Sequence, residues 1–423
     1  MNMYSDLRSK LKQYVEKQKL KETAAIEGTE SMNGSYGVNN TSVAANTFDI
    51  DRLVDGTIES SHLGSFFMHK SQYPLKYVHG NCMLEDFTNL DFDYLIKAFN
   101  SKSKLALEDM IFLDTETTGL GGAGTMAFLV GIGYFDKENF VVKQLFMRDY
   151  DEEPAMLSYL ENELASRKGL ITFNGKSFDW NLLNSRFISN RIKLRLNDPV
   201  HLDLLHISRT IWKRKLQSCR LISLEENLLG LKRNDDIPGY LIPAAYFKYV
   251  NDRNAKDMKR VLEHNKLDII SMVALFVKIG RLLNDPLEEA SDYSELFGAA
   301  RIYNKVMDYM KAENCYKHCS DSNNAMVRIE ALKELISLYK NGGDYDRITQ
   351  CFELILKSSK TPNIPIMIQL AKHYEHRVRD IAGAKEITEK AFDICLGSDL
   401  LRKIYYKDLK HRLERLQRKT VKK

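Results

Sequence analysis

The chain has 423 residues, 44% of them hydrophobic and 28% charged, with a formal net charge of +5 at neutral pH. This length predicts two or three domains, and the composition is typical of a globular protein. No apolar run reaches the roughly 18–20 residues that span a membrane, so we expect no membrane protein. The six cysteines include no C-x-x-C pair, which argues against zinc and a disulfide framework and predicts a cytoplasmic location. The mild positive charge permits an anionic partner.

The first 60 residues predict a basic helix followed by a flexible linker. Residues 1–23 are charged throughout without an apolar centre, unlike a secretory signal. Residues 25–47 are small and polar, with little to bury. Residues 61–106 are globular in composition and form a lead-in segment to which the sequence assigns no role.

Residues 107–285 predict an α/β domain with a mixed sheet. Three strands are expected at "MIFLDTET", "TMAFLVGIGYF" and "NFVVKQLFMR", with the last two joined as a hairpin by "DKEN". A helix at "EPAMLSYLENELASR", a short strand at "GLITF" and a helix at "SFDWNLLNSRFISN" follow. A long helix, "DMKRVLEHNKLDIISMVALFVKIGRLL", ends before Pro286. A meander followed by alternating helix and strand predicts both strand directions in one sheet.

Residues 290–423 predict an all-α domain of repeated helical hairpins. Asp308, Asp344 and Asp380 are each 36 residues apart, and small or apolar residues keep the same interval after them. A fixed period near 35 residues is typical of stacked helical hairpins. The pattern resembles the tetratricopeptide repeat (TPR), although it lacks the full consensus of that family. An irregular helical bundle is the alternative.

Two acids stand where a buried strand would favour aliphatic residues. Asp114 and Glu116 are two positions apart, so their side chains point to the same face of the strand. Two partly buried carboxylates are unfavourable unless a cation joins them, and Mg²⁺ or Mn²⁺ prefers oxygen ligands. Asp179 begins a helix after a buried strand, and His264 and Asp268 lie four apart on one helix face. The sequence therefore predicts a divalent-cation site.

The same stretch also contains the spacing G-x-G-x-x-G, from Gly119 to Gly124. In a dinucleotide-binding site these glycines open a helix whose N-terminus holds the pyrophosphate. Here they lead into a β-branched and aromatic segment that predicts a strand. We therefore reject the dinucleotide interpretation.

Each remaining motif, taken singly, also suits a structural role. Asp179 in a first helical turn complements the helix dipole, and Asn174-Gly175 suits a turn. Asp268 suits a solvated helix face, and a lone histidine such as His264 is more often structural than catalytic. Only the ordered set D-x-E, N-G-x-x-F-D and H-x-x-x-D favours a common site.

That ordered set resembles the DEDD exonuclease superfamily, which has the ribonuclease H-like fold. The four acids of the superfamily fall on Asp114, Glu116, Asp179 and Asp268. The flanking "FLDTETTGLGGAGTMAFLVGIG", "DDIPGYLIP" and "HNKLDIISM" are similar to the bacterial YprB-like branch, which joins this domain to C-terminal TPR-like repeats. The resemblance covers the chain from about residue 60 onward. One departure is His264, which has the spacing of the tyrosine branch of the superfamily.

The resemblance implies a 3′–5′ exonuclease of DNA repair, with the four acids holding two divalent cations, Mg²⁺ or Mn²⁺. His264 is then the expected general base, because an unperturbed imidazole pKa near 6.5 suits proton transfer at neutral pH. The backbone around Thr117 is expected to face the terminal nucleotide. Asn174 and Phe178 are expected to line its pocket, and Lys176 to contact a phosphate.

Three basic segments are candidates for binding a nucleic-acid strand. Residues 208–220, "SRTIWKRKLQSCR", combine five cationic residues with Trp212, and such combinations suit phosphates and stacked bases. "RFISNRIKLR" and "HRLERLQRKTVKK" are weaker candidates. Each segment also suits a solvated helix face.

The sequence leaves two alternatives to a DNA exonuclease. One is an RNA exonuclease of the same chemistry, because one site can cleave either polymer. The other is a non-catalytic TPR adaptor that binds nucleic acid through the nuclease fold, although four intact acids argue against it. The expected protein partner, at the helical repeats, is a helicase or another repair protein.

Overall fold

The structure is a computed structural model that describes residues 48–99, 105–119, 124–196, 199–359 and 361–421. The predicted basic helix and nearly all of the predicted linker lie outside the described residues. The chain divides into two compact units, one within residues 1–96, 103–205 and 220–278 and the other within 97–102, 206–219 and 279–423. Within the described ranges, no helix combines the length and the apolar character that crossing a membrane requires.

The first unit contains a seven-stranded sheet in the order β1-β2-β7-β6-β5-β8-β9, and β3 and β4 form a separate pair. In this order, each neighbouring pair among β1, β2, β7, β6 and β5 is antiparallel, whereas β8 and β9 run parallel to β5. The predicted mixed sheet and the β6–β7 hairpin are therefore confirmed. Part of the lead-in segment forms β2, which pairs with β1 and with β7 and which its composition did not reveal. The strands of the described residues are β1 (Thr57–Ser61), β2 (Gly64–Pro74), β3 (Val78–His79), β4 (Cys82–Met83), β5 (Met110–Thr117), β6 (Ala127–Asp136), β7 (Asn139–Phe146), β8 (Gly169–Thr172) and β9 (Val200–Asp203).

Helices follow the strands as the apolar periodicity predicts. Single helical turns also occur at Leu107–Asp109, Tyr150–Glu152, Glu225–Leu229 and Gly239–Leu241. The helices up to residue 284 are α1 (Ile50–Leu53), α2 (Glu85–Thr88), α3 (Phe92–Ala98), α4 (Glu153–Ala165), α5 (Asp179–Ser189), α6 (Leu204–Trp212), α7 (Leu221–Leu224), α8 (Ile242–Asp252) and α9 (Lys256–Asn284).

One apolar cluster joins the central strands to helices α4, α5 and α8. The ring of Phe128 on β6 stacks on that of Tyr246 on α8, with centroids 4.0 Å apart. Leu160 of α4 and Leu183 of α5 are fully buried in the same cluster. Each such side chain stabilises the fold by about 1.5–3 kcal/mol relative to exposure.

Two glycines of β6 allow α9 to lie directly against the sheet. A Cβ at Gly131 would lie 2.3 Å from Oδ1 of Asn265, and one at Gly133 would lie 2.5 Å from Cγ2 of Ile269. Residues two apart on a strand share a face, so the "VGIG" segment presents a bare backbone to the helix. Gly131 also pairs with Asp114 of β5. The glycines therefore bring α9, which carries His264 and Asp268, close to the acids of β5.

The second unit is composed of helical hairpins. It also contains a π-helical turn, Tyr374–Val378. Its helices after residue 284 are α10 (Pro286–Glu289), α11 (Tyr293–Lys305), α12 (Tyr309–Ser320), α13 (Ala325–Gly342), α14 (Tyr345–Ser358), α15 (Ile364–His373), α16 (Ile381–Leu396) and α17 (Asp399–Val421).

The aspartates that recur every 36 residues are the N-caps of α12, α14 and α16. An aspartate at this position satisfies a backbone donor that has no partner within the helix. The carboxylates accept from the N–H three residues later: Asp308 from Lys311 at 3.2 Å, Asp344 from Arg347 at 3.1 Å, and Asp380 from Gly383 at 2.9 Å.

The residue before each capping aspartate has a left-handed backbone. The φ angles are 65° at Met307, 72° at Gly343 and 62° at Arg379. Three turns of one type therefore join the helices of successive hairpins, and the sequence period has this turn as its structural basis. The helical C-terminal region is confirmed, and its TPR-like character stays a prediction.

We expect Gly131→Ala to lower the free energy of unfolding by about 1–3 kcal/mol, because the methyl group has no space beside Asn265. Gly239→Ala is the control, since no atom lies within 4 Å of its added Cβ, and it should change stability by less than about 0.5 kcal/mol. Urea denaturation measures both variants. Equal stability of the two would show that α9 does not depend on a bare β6.

Candidate active site

Asp114 and Glu116 lie near the end of β5 on one face of the sheet. Pairing with β6 is regular through Glu116 and shifts before Thr117, so a bulge ends the strand just after the two acids. The Thr117 hydroxyl donates to the Gly119 carbonyl at 2.7 Å. The next element after Gly124 is strand β6, which agrees with our rejection of a dinucleotide-binding helix.

A chain of buried amides orients Asp114. Asn265 of α9 donates from Nδ2 to Oδ2 of Asp114 at 2.8 Å, and Gln144 of β7 donates to Oδ1 of Asn265 at 2.8 Å. Gln144 also donates to the Leu262 carbonyl at 2.7 Å. Asn265 and Gln144 are both fully buried, so neither amide is free to turn away. Sequence reasoning missed both, although Asn265 stands between His264 and Asp268.

Asp179 is tied to the same strand. It is the first residue of α5, and the Thr115 hydroxyl, between the two acids of β5, donates to its Oδ1. Asp179 was predicted from the strand-to-helix junction. The hydrogen bond shows how that junction is held beside β5.

The turn before Asp179 is held by Asp203 at the end of β9. Its carboxylate accepts from the backbone N–H of Asn174 at 2.9 Å and of Lys176 at 3.1 Å, and it is buried. Asn174 has a φ of 69°, the left-handed conformation that asparagine tolerates. Asn174 therefore shapes the turn, whereas its contact with substrate stays a prediction. An acid at the end of a strand parallel to β8 was the signal that could have identified Asp203.

Lys176 and Phe178 lie on the outer side of this turn. Lys176 is exposed, and 57% of Phe178 is exposed, which is unusual for a large apolar ring. Both are accessible to a ligand, as their predicted roles require. Those roles stay predictions.

His264 lies between Glu116 and Asp268. Its Nε2 is 3.8 Å from Oε1 of Glu116 and 3.7 Å from Oδ2 of Asp268, while its Nδ1 donates to Oδ1 of Asp236 at 2.7 Å. Arg233 donates to the other oxygen of Asp268. Sequence reasoning missed Asp236 and Arg233. Both belong to the segment around "DDIPGYLIP", whose acids had no assigned role.

The four acids act on one another electrostatically. Burial raises the pKa of Asp114 well above its usual range, and the charges of Asp268, Glu116 and Asp179 raise it further. Burial likewise raises the pKa of Asp179 and of Asp268, in the latter case against the opposing charges of Arg233 and His264. Carboxyl groups distant along the chain therefore share one buried region in which ionising all of them together is unfavourable.

The environment of His264 corrects one expectation. Burial would lower its pKa, but the hydrogen bond to Asp236 and the charges of Asp268 and Glu116 outweigh burial and raise it to about 9. The expectation of a pKa near 6.5 is therefore wrong for the protein without cations. His264 is protonated at neutral pH until positive charge offsets the neighbouring carboxylates.

The oxygen atoms of the four acids are ligands that suit a hard divalent cation. The described residues contain no group of three or more His, Cys, Asp or Glu side chains that is already arranged to hold a metal ion. The acids offer only oxygen ligands, as Mg²⁺ and Mn²⁺ prefer, and their mutual repulsion would fall on cation binding. Ligation would therefore draw the carboxylates closer together.

Trp212 does not contact a nucleic-acid strand, and this prediction is wrong. Its side chain is fully buried in the second unit, where its indole N–H donates to Oε1 of Glu295 at 3.1 Å. Lys215 of the same segment pairs with Glu295 at 2.7 Å, and Arg214 pairs with Glu330. A basic run looks the same in sequence whether its charges face solvent or internal acids.

The two weaker basic segments are ion-paired in part. Arg186 donates twice to Glu153, at 2.7 and 2.5 Å, and Arg195 pairs with Glu161 at 2.6 Å. At the C-terminus the buried Glu375 holds three cations, of which Arg415 is the closest at 2.5 Å. These arginines stabilise helix contacts.

An open groove beside Asp179 brings two of the predicted basic residues together with aromatic residues. It has a volume of about 580 Å³, and Lys176, Trp180, Lys193 and His201 are among its lining residues. Lys193 is exposed, and Trp180 directly follows Asp179 in sequence. Sequence reasoning named Lys176 and the segment that contains Lys193 as separate candidates, and it missed Trp180 and His201 because they carry no basic pattern.

Without cations, we expect the stability of the protein to fall as the pH rises. Burial raises the pKa of Glu116 to about 8, from 4.5, and the pKa of His264 is about 9 rather than 6.5. A group whose pKa is raised by folding stabilises the protein below its unfolded pKa, and this contribution is lost as the pH approaches the folded pKa. The melting temperature in chelator should therefore fall between about pH 5 and pH 9.

Added Mg²⁺ or Mn²⁺ should reduce this fall, because a cation favours ionised carboxylates. Glu116→Gln should show a shallower fall, since it removes one of the titrations that cause it. Differential scanning calorimetry at several pH values measures both effects. A melting temperature independent of pH over this range would contradict the electrostatics described here.

Comparison with known proteins relates the chain to one family and to two proteins. Residues 111–280 match the family described as the RNase_H superfamily. The chain is similar to the uncharacterized protein YprB of Bacillus subtilis (strain 168), with 29% identity over 366 residues, 82% of this chain and 84% of that protein. It also aligns with the family B DNA polymerase from the hyperthermophilic archaeon Pyrobaculum calidifontis, at a TM-score of 0.31 and 16% identity, over 47% of this chain and 29% of the polymerase chain. Residues 111–280 are thus similar to an RNase H superfamily domain.

Proposed function

We propose that this protein is a divalent-cation-dependent 3′–5′ exonuclease that hydrolyses the phosphodiester bonds of DNA in repair. One arrangement carries the proposal: Asn265 of α9 donates to Asp114, Thr115 of β5 donates to Asp179, and Nε2 of His264 lies 3.8 Å from Glu116 and 3.7 Å from Asp268. Four neighbouring carboxylates are unfavourable when the protein supplies too little positive charge beside them, and bound divalent cations would supply it. The RNase H superfamily domain supports hydrolysis of nucleic acid. Exonuclease action and direction follow from the resemblance to DEDD enzymes.

In this proposal Asp114, Glu116, Asp179 and Asp268 hold the cations. Two such ions, when bound, would lower the pKa of an attacking water and stabilise the leaving oxygen. Asn265 keeps Asp114 oriented, and the Thr115 hydroxyl does the same for Asp179. These fixed partners reduce the rearrangement that the acids need at the moment of reaction.

His264 is the proposed proton acceptor. Asp236 holds its Nδ1, so Nε2 faces Glu116 and Asp268. Positive charge at those acids would lower the pKa of the imidazole from about 9 toward neutrality, where it accepts a proton effectively. The histidine is therefore active only when the acids are compensated.

The groove beside Asp179 is the proposed track for the strand. Lys176 and Lys193 suit phosphates, and the half-buried ring of Trp180 suits stacking with a base. The helical hairpins of the second unit are the proposed surface for a protein partner such as a helicase, because hairpin arrays present extended binding faces.

We expect the purified protein to release nucleotides from 3′-labelled DNA with Mg²⁺ or Mn²⁺ and not with chelator. Asp114→Asn should lower the rate at least about 100-fold, beyond the 10–100-fold typical of outer partners of a metal ligand. Asp136→Asn, an exposed aspartate at the end of β6, is the control and should retain activity. Gel assays on single strands, duplexes and RNA measure these rates. Faster release from RNA would reassign the substrate, and no cation-dependent release from any polymer would favour the adaptor.

We expect Trp180→Ala to raise the KM for long single strands about 5–50-fold with little change in kcat, because it removes a contact remote from the bond cleaved. Phe247→Ala, an aromatic 42% exposed on α8, is the control. Lys193→Gln should make the salt dependence of binding shallower by about 0.7 in log–log slope, the loss of one phosphate contact. Unchanged KM and salt dependence would exclude the groove as the track.

A further inference from the structure

A buried guanidinium adjoins the acids of the candidate site. Arg233, whose side chain is 6% exposed, donates from Nε to Oε2 of Glu225 at 2.7 Å and from Nη2 to Oε1 at 2.5 Å. Glu225 is 1% exposed and belongs to the helical turn that follows α7. This two-point contact fixes the plane of the guanidinium, because its donors form a rigid fork.

The same guanidinium reaches both functional side chains of α9. Nη2 also donates to Oδ1 of Asp268, which leaves Oδ2 on the side of His264. Nη1 lies 3.6 Å from Oδ2 of Asp236, whose other oxygen accepts from His264, and 3.3 Å from Nδ1 of His264. Arg233 therefore adjoins the fourth acid and the carboxylate that orients the histidine.

Two opposite effects on a cation site follow from this placement. A fixed contact holds Asp268 and Asp236 in place, which favours proton transfer at His264. A permanent positive charge against Asp268 repels an incoming divalent cation and occupies one of its two oxygens. Glu225 offsets part of that charge.

We propose that Arg233 is a positioning residue. It aligns Asp268 and His264 for the reaction, and its positive charge weakens cation binding at the same site. This inference rests on the proposed function, because it concerns the same cation site. Arg233 is a side chain to which neither the motif set nor the comparisons assign a role. Replacing Arg233 should strengthen cation binding and lower kcat, whereas general structural damage would weaken cation binding and lower kcat together.

The decisive variant is Glu225→Gln combined with Arg233→Gln. Replacing both members removes the charge of Arg233 without leaving Glu225 as an unpaired buried charge. Mn²⁺ binding to the chelator-stripped full chain is measured by titration calorimetry, and nucleotide release is measured at saturating Mn²⁺. We expect the Kd for Mn²⁺ to fall at least about tenfold, since a repulsive charge is removed, and kcat to fall at least about tenfold, since alignment is lost.

Arg233→Lys separates charge from geometry. Lysine keeps the positive charge but lacks the planar fork, so we expect the Kd for Mn²⁺ to stay within about threefold of wild type while kcat falls. The matched control is Glu153→Gln with Arg186→Gln. That pair has the same two-point geometry, at 2.7 and 2.5 Å, with side chains 4% and 16% exposed, and it should leave both quantities unchanged.

The outcomes distinguish this inference from the function on which it rests. If wild type binds Mn²⁺ and the double variant binds it equally or more weakly, the inference is wrong and the cation site stands. If wild type itself binds no Mn²⁺, the cation site is wrong and the inference falls with it. Weaker binding in Arg233→Lys together with the double variant would show a merely structural role for Arg233.

Discussion

Repulsion among buried carboxylates is the constraint on which the candidate site depends. Burial and neighbouring carboxylates raise the pKa of Asp114 and of Glu116. The cationic groups of the protein are therefore not sufficient to keep both acids ionised in their usual pH range. Each acid is nevertheless kept in place by a neutral or cationic partner, and these partners come from different elements. The fold therefore holds together side chains that would separate in water, which is the condition under which added positive charge has the largest effect.

The position of α9 is what assembles these charges. Bare backbone at Gly131 and Gly133 lets the helix approach β6, and Asn265 then spans the strand to reach Asp114. Residues that carry no chemistry of their own thus determine the distance between the acids of β5 and those of the helix. Asp203 likewise positions a site residue indirectly, because its carboxylate holds the turn before Asp179.

Prediction from the sequence succeeded where a local pattern has a local cause. The β6–β7 hairpin follows from strand periodicity and a short polar turn, and the 36-residue period reflects a repeated capping aspartate. Prediction failed for Trp212, because whether an aromatic ring in a basic helix is exposed depends on partners elsewhere in the chain. It also missed Arg233, because one arginine in a loop has no pattern until the fold supplies its acids.

By itself, the sequence determined the α/β class of the domain and the order of the elements it predicted, and it named four acids as a candidate site, because strand alternation, helix periodicity and motif spacing are properties of short segments. Only the tertiary structure decided which neutral and cationic groups surround those acids. The charge state of His264 shows the difference: an imidazole has an ordinary pKa in isolation, and the carboxylates that raise it to about 9 come from β5, α9 and the loop with Asp236. Electrostatic interactions depend on distance in space, and the sequence reports distance only along the chain.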